Sequence, residues 1–258
     1  MNTKTIDVTA LSARLDEAQR TVTDTTSLAA SHDIGIGVDD AYRIQNALID
    51  RRLARGESLV GVKLGFTSRA KMAQMGVSEV IVGRLTDTMR IPDGGNVDLS
   101  RFIHPKIEPE IAYRLARDVD LDDPMGDIES CVDAVAPAME IIDSRYRDFR
   151  FTYTDVVADN TSAAGYVIGP WLEPQDVANR AVRLDVGAET VTGSTAAILG
   201  NPVRALHALL DISCRRRIPL RAGEVILAGA ATAAIPFTAG TAQCDIAGLG
   251  RVTVKGIA

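Results

Sequence analysis

The chain has 258 residues, carries 28 Lys+Arg against 34 Asp+Glu for a formal net charge of −6, and is 46% hydrophobic but only 4% aromatic. At about 150 residues per domain this is one large domain or a domain with an appendage, able to bury a core of Ala, Val, Ile and Leu without disulfides or a structural metal. The acidic balance excludes a typical nucleic-acid binder, which needs clustered positive charge. The three cysteines (Cys131, Cys214, Cys244) show no C-x-x-C spacing. The first 20 residues contain no apolar signal region, and the longest low-charge run, 225–244, is broken by Gly229, Pro236 and Gly240. A reduced, cytoplasmic protein with no membrane span is expected.

In chain order, residues 8–30 place Leu11, Leu15, Ala18 and Val22 at i, i+4, i+7 and i+11, which predicts an amphipathic helix. The Thr/Ser cluster 21–27 and the glycines of 33–37 interrupt it. A second helix starts at Asp39 and Asp40 as capping residues, carries Tyr42, Ile44, Leu48, Ile49 and Leu53, and stops at Gly56. The period then shifts towards two. Short β-type runs bounded by Gly, Pro and Asp fall at 59–65, 106–115, 165–168, 181–186, 224–229 and 251–254. A third helix over 202–217 buries Val203, Leu206, Leu209, Leu210 and Ser213, and ends in Arg215, Arg216 and Arg217, where a helix C-terminus favours cations. His207 lies among the apolar residues of this helix and, like His32, reads as structural. Strands and helices do not alternate regularly, so the fold class is α+β: a helical N-terminal segment (1–57) followed by a β-rich body (58–258).

Chemistry concentrates in His104-Pro105-Lys106-Ile107-Glu108-Pro109-Glu110. On a strand, Lys106, Glu108 and Glu110 share one face. Two carboxylates so placed repel unless water, a proton or a cation separates them; a hard divalent cation with oxygen ligands fits, and so does a solvated strand face. Pro109 lacks a backbone donor, which predicts an edge strand or a bulge. Glu140 sits between apolar residues in 138–143 and needs a partner, either a metal shared with Glu108 and Glu110 or a salt bridge to Arg145 or Arg147. Lys63 is the single charge in the glycine-bounded run 61–65, which suggests a carboxylate partner, an anionic ligand or an edge strand. The polar run 155–162, containing Asp159 and Ser162, reads as a turn segment or a pocket lining. Serine-hydrolase, zinc-protease and nucleotide-binding signatures are missing.

The segments GVKLGFTSRAKMAQMGV (61–77), PDGG (92–95), IHPKIEPEIA (103–112), MEIIDSRY (139–146), VVADN (156–160), AAILGNP (196–202) and GLGRV (248–252) occur in this order. Together they resemble the hydratase/decarboxylase family of aromatic meta-cleavage pathways, within the fumarylacetoacetate hydrolase superfamily. The resemblance runs from about residue 38 onwards. Segments 67–77 and 104–106 resemble the 4-oxalocrotonate (2-oxo-3-hexenedioate) decarboxylase branch more than the sister 2-hydroxypenta-2,4-dienoate hydratases. The resemblance implies a mixed β-roll or barrel body of the superfamily's C-terminal-domain type. It also implies Mg2+ (or Mn2+) held by Glu108, Glu110 and Glu140, catalytic Lys63 and Asp159, and substrate contacts from Lys106, Arg69 and Ser162. The implied substrate is a small 2-oxo dicarboxylate; a homo-oligomer and a hydratase partner are expected. The alternatives are 2-oxopent-4-enoate hydratase activity, or a non-catalytic partner subunit of such a hydratase. Two departures stand out: Pro109 replaces a small residue such as Ala between the glutamates, and Ala228 replaces a common Thr.

Overall fold

The computed structural model describes residues 6–31, 35–68, 72–73 and 76–258. Helix α1, Val8–Arg20, begins where the Asp7 carboxylate accepts from the Ala10 N–H, and it buries Leu11, Leu15 and Ala18. It ends at Thr21, ahead of the short α2, Leu28–Ser31, so the Thr/Ser cluster splits the expected 8–30 helix in two. Helix α3, Val38–Ala54, is capped by Gly37. Asp39 and Asp40 lie inside its first turn, where their charges meet the positive end of the helix dipole, rather than at the cap.

The β-rich body holds two sheets. In the larger, β1 (Leu59–Gly65), β2 (Ile81–Thr86), β3 (Arg90–Ile91), β5 (Lys106–Leu115), β6 (Val132–Ile142), β7 (Ala163–Ile168) and β10 (Val225–Ala230) run in the order β2-β1-β10-β5-β6-β7-β3, and β11 (Ile235–Pro236) adds to β5. In the smaller, β4 (Asn96–Asp98), β8 (Ala181–Val186), β9 (Glu189–Ser194), β12 (Gly240–Ile246) and β13 (Gly250–Ile257) run β4-β13-β12-β8-β9. Strands β12 and β13 pack on β6, and β8 packs on β5. The class is α+β.

Strands β1, β5 and β8 match their predicted bounds. Strand β6 has no counterpart among the predicted runs because it is buried on both faces, so its residues do not alternate between polar and apolar. Strand β5 is not at an edge: β6 flanks it on one side, and β10 and β11 on the other. The missing donor of Pro109 falls just past the last β10 pair, Ala230 with Glu110, and before β11 resumes the pairing at Ile107. A proline is tolerated there because that stretch of ladder is already broken.

Two further helices cover the sheets, α4 (Tyr153–Ala158) and α5 (Val203–Arg216). Helix α5 buries Ala205, Leu206, Leu209, Leu210, Ile212 and Ser213. His207 is not among them: it is exposed, and its Nε2 meets Glu129 Oε1 at 3.0 Å. Apolar residues of α1, α3, α5 and both sheets form one large buried cluster, and a second, smaller one gathers Leu85, Tyr166, Val225 and Leu227 from the larger sheet. Among the described residues no helix is long and apolar enough to cross a membrane.

Candidate functional site

The antiparallel ladder of β5 and β6 sets Glu108 directly opposite Glu140, with Glu110 two residues further along the Glu108 face. One carboxylate oxygen from each of Glu108, Glu110 and Glu140 lies within 4.8 Å of the other two. At an effective dielectric near 20, each such pair of charges repels by roughly 3 kcal/mol, and removing the groups from water adds several more. Glu110 and Glu140 are fully buried.

Strand β1 brings the compensating charge. Lys63 is buried, its Nζ lies 2.8 Å from Glu140 Oε2, and it donates to the Thr161 carbonyl at 3.1 Å. Burial pulls the Lys63 ammonium down, but the charges of Glu140, Glu108 and Glu110 outweigh it and hold the lysine above its ordinary range. Burial, then repulsion from Glu140 and Glu108, pushes Glu110 well above the carboxylate range, and Lys63 opposes this only in part. Glu140 is also raised by burial, against the pull of Lys63. Lys63 thus offsets the repulsion within this group only in part.

The oxygens point the same way. Glu110 Oε2 accepts from the Gly229 N–H at 2.7 Å, yet Glu110 Oε1 and Glu140 Oε1 are buried without any hydrogen-bond donor, and Glu140 Oε2 has only its ion pair with Lys63. Among the described residues this group offers carboxylate oxygens alone, a set suited to a hard divalent cation such as Mg2+ or Mn2+.

Two close approaches support this arrangement. Gly229 has φ +108°, and a Cβ on it would stand 2.1 Å from Thr67 Oγ1. Only glycine lets Thr67 pack there while the backbone N–H reaches Glu110. Gly83 on β2 is the second case: its Cβ would lie 2.2 Å from Thr161 Oγ1. Thr161 belongs to a turn in which Asn160, Thr161 and Ser162 all have positive φ (49°, 52° and 61°). Three consecutive left-handed residues that are not glycine are costly, and such strain collects at functional sites. The Asn160 side chain holds the turn on β2, accepting from the Arg84 N–H at 2.7 Å and donating to the Arg84 carbonyl at 2.9 Å.

Asp159 ends α4 and is fully buried. Its carboxylate accepts from the Arg145 Nε and from the Arg145 backbone N–H (3.1 Å), and Ser162 Oγ lies 3.5 Å away. Burial pushes the Asp159 carboxyl up to about 6 despite Arg145. Arg145 is thus committed to Asp159, and Arg147 to Asp24, which leaves Lys63 as the cation paired with Glu140. Lys106 places its Nζ 4.2 Å from the centre of the Phe149 ring, and the His104 ring lies tilted by 40° against the same ring at 4.7 Å. Asp143 clamps that segment by accepting from the Ile103 and His104 N–H groups at 2.9 and 2.8 Å. Arg69 and His32 lie outside the described residues.

Sequence reasoning gave no site role to Gly229, Thr67 or Phe149, and read Asn160 and Thr161 only as part of the polar run 155–162. Their roles depend on backbone conformation and on close approach across strands, neither of which has a spacing signature.

Residues 59–255 match the fumarylacetoacetate (FAA) hydrolase C-terminal family, and the chain belongs to it. Among its relatives, a 4-oxalocrotonate decarboxylase from Pseudomonas sp. is 45% identical over 249 residues, covering 95% of this chain and 96% of the relative. A 2-keto-4-pentenoate hydratase from Paraburkholderia xenovorans (strain LB400) is 38% identical over 226 residues, covering 85% and 84%. The solved structure of 4-oxalocrotonate decarboxylase from Pseudomonas putida G7, complexed with magnesium and adipate, matches with a TM-score of 0.91 at 36% identity and 97% coverage of both chains.

Proposed function

We propose that the chain is a divalent-metal-dependent decarboxylase that converts 2-oxo-3-hexenedioate (4-oxalocrotonate) to 2-hydroxypenta-2,4-dienoate in aromatic catabolism. The observation that carries this reading is the Glu108–Glu110–Glu140 cluster closed by Lys63, in a chain 45% identical to a 4-oxalocrotonate decarboxylase over nearly its whole length. Glu108, Glu110 and Glu140 hold the metal. When bound, a divalent cation supplies Lewis acidity that polarises the 2-oxo group.

The bond to the distal carboxylate breaks and CO2 leaves. Its electron pair moves along the conjugated chain to the ketone oxygen, and protonation at oxygen yields the hydroxydiene. Lys63 keeps Glu140 ionised and places positive charge beside the oxygen that becomes negative, the interaction that lowers such a barrier most. Lys106 and Arg69 bind the departing carboxylate, and Ser162 lines the pocket. Asp159 acts as a positioning residue: through Arg145 it anchors the turn whose Thr161 carbonyl receives Lys63.

A second reading, 2-oxopent-4-enoate hydratase, is favoured by the 38% identical hydratase. Both reactions use the same cluster and a dienolate, and differ in whether a C–C bond breaks or water adds. A non-catalytic partner of a hydratase is the third reading, and the intact cluster counts against it. We also propose self-association and pairing with a hydratase subunit, on the family resemblance, to be checked by sedimentation and co-purification. Metal analysis combined with CO2 release from 2-oxo-3-hexenedioate and consumption of the hydroxydiene separates the readings. Metal with CO2 release supports decarboxylation; metal with hydroxydiene consumption alone supports hydration. Neither metal nor turnover leaves only the partner role.

A further inference from the structure

A cavity of about 440 Å3 opens on the other side of β2, between α3 and the C-terminal end of α5. Five arginines line it, Arg43, Arg84, Arg215, Arg216 and Arg217, against two carboxylates, Asp39 and Asp50. Four of the five have carboxylate partners within the protein: Arg43 pairs with Asp40, Arg215 with Glu79 and Asp211, Arg216 with Asp39, and Arg217 with Asp122. Arg84 is different. It is only 8% exposed, and among the described residues its guanidinium makes no hydrogen bond and no ion pair. Its backbone groups are occupied by Asn160, but its five N–H donors are not.

A second arginine lining the cavity also carries an unmet donor. Arg216 Nε is buried with no acceptor, although the rest of that guanidinium reaches Asp39 and lies 4.1 Å from the centre of the Tyr42 ring. The Tyr42 hydroxyl accepts from the Val82 N–H at 3.2 Å, which leaves its own proton to donate. Burial raises the Tyr42 pKa, so that proton stays on. The nearby acids do not meet the need: Asp39 is taken by Arg216, Asp50 is exposed, and Glu224 accepts from the Arg221 N–H at 3.0 Å. The charge of Glu224 offsets only part of the burial penalty on Arg84.

The Arg84 side chain is largely buried but its guanidinium has no protein acceptor in the cavity, and planar guanidinium forks match the oxygens of carboxylates and phosphates. We propose that this cavity binds a small oxyanion between Arg84 and Arg216, with phosphate preferred to carboxylate. The preference follows from the donors: Arg84, Arg216 and Tyr42 all line the cavity, and a phosphate offers them more acceptor oxygens than a carboxylate does. The site is separate from the glutamate cluster, although Arg84 lies one residue from Gly83, the β2 partner of Lys63.

Calorimetric titration of the metal-loaded protein with inorganic phosphate, at constant ionic strength against chloride, tests this. Saturable binding of one phosphate per chain is expected, weakened at least about 10-fold in Arg84→Met and clearly reduced in Arg216→Gln. The same binding should persist in Glu110→Gln, and acetate should bind more weakly than phosphate. If Arg84→Met does not fold, the wild-type titration and the Arg216→Gln variant decide. Absence of saturable binding, or binding unchanged in the arginine variants, overturns the proposal. Loss of binding in Glu110→Gln overturns it too, because phosphate would then sit at the glutamate cluster. Acetate binding as tightly as phosphate overturns the preference.

Discussion

Lys63 on β1 and Glu140 on β6 meet at 2.8 Å although two strands, β10 and β5, lie between theirs in the sheet. In a flat sheet, strands three steps apart are about 14 Å from each other, further than these two side chains bridge comfortably. The sheet is curled, and the curl brings the lysine over the paired glutamates. This one contact joins the fold to its chemistry.

Lys63→Met leaves Glu140 buried without its cation. Breaking a buried pair from one side costs about 3–5 kcal/mol, so the metal-free variant should show a clear loss in urea unfolding. Saturating Mg2+ should recover part of that loss, since a cation replaces the missing charge. Turnover should fall sharply in either case. An unchanged unfolding midpoint without metal would contradict the assigned pairing.

Glu110→Gln keeps the shape of the side chain and an oxygen able to accept from the Gly229 N–H. It removes one negative charge from the cluster. The protein should stay folded while Mg2+ affinity, measured calorimetrically, drops by about 100-fold or more. Full activity with unchanged metal affinity would remove Glu110 from the metal site.

Gly229→Ala forces a Cβ into Thr67 at a φ of +108°. The expected cost is about 1–3 kcal/mol of stability from backbone strain and displacement of Thr67. Metal affinity should weaken alongside it, because the N–H that orients Glu110 moves. A neutral result in both measurements would mean that the segment relaxes freely.

Asp159 supplies a pH prediction. Its carboxyl is pushed up to about 6 from 3.8, so between those values the folded chain holds a proton that the unfolded chain does not. For this group, then, stability rises as pH falls from about 6 towards 3.8, by roughly 1–3 kcal/mol. Asp159→Asn should lose that contribution. Unfolding free energies measured from about pH 4 to 7 should converge or diverge accordingly; parallel profiles for the two proteins would exclude it.

Lys106→Met separates the two enzymatic readings. A distal carboxylate exists only on the dicarboxylate substrate, so the variant should raise KM for 2-oxo-3-hexenedioate by about 10-fold or more. Handling of the monocarboxylate hydroxydiene should be unaffected. Equal effects on both substrates would place Lys106 at the shared end of the ligand.

The sequence alone determined the helical start, the α+β class, the strands at 59–65, 106–115 and 181–186, and the residues that make up the charged cluster. Those features are legible because they are local: period, capping residues, and charges set in apolar runs whose burial demands a partner. Strand β6 was not legible, since a strand buried on both faces has no alternation, and His207 was misplaced because one apolar neighbourhood can hold an exposed position. The partner of each charge belonged to the tertiary structure. Glu140 had arginines five and seven residues away, yet it pairs with a lysine 77 positions earlier in the chain, while Arg145 turns to Asp159. Sequence proximity does not decide such pairings; strand register and sheet curvature do, because electrostatic energy depends on distance in space and on burial. The sequence supplied the charges, and the curled sheet decided which of them meet.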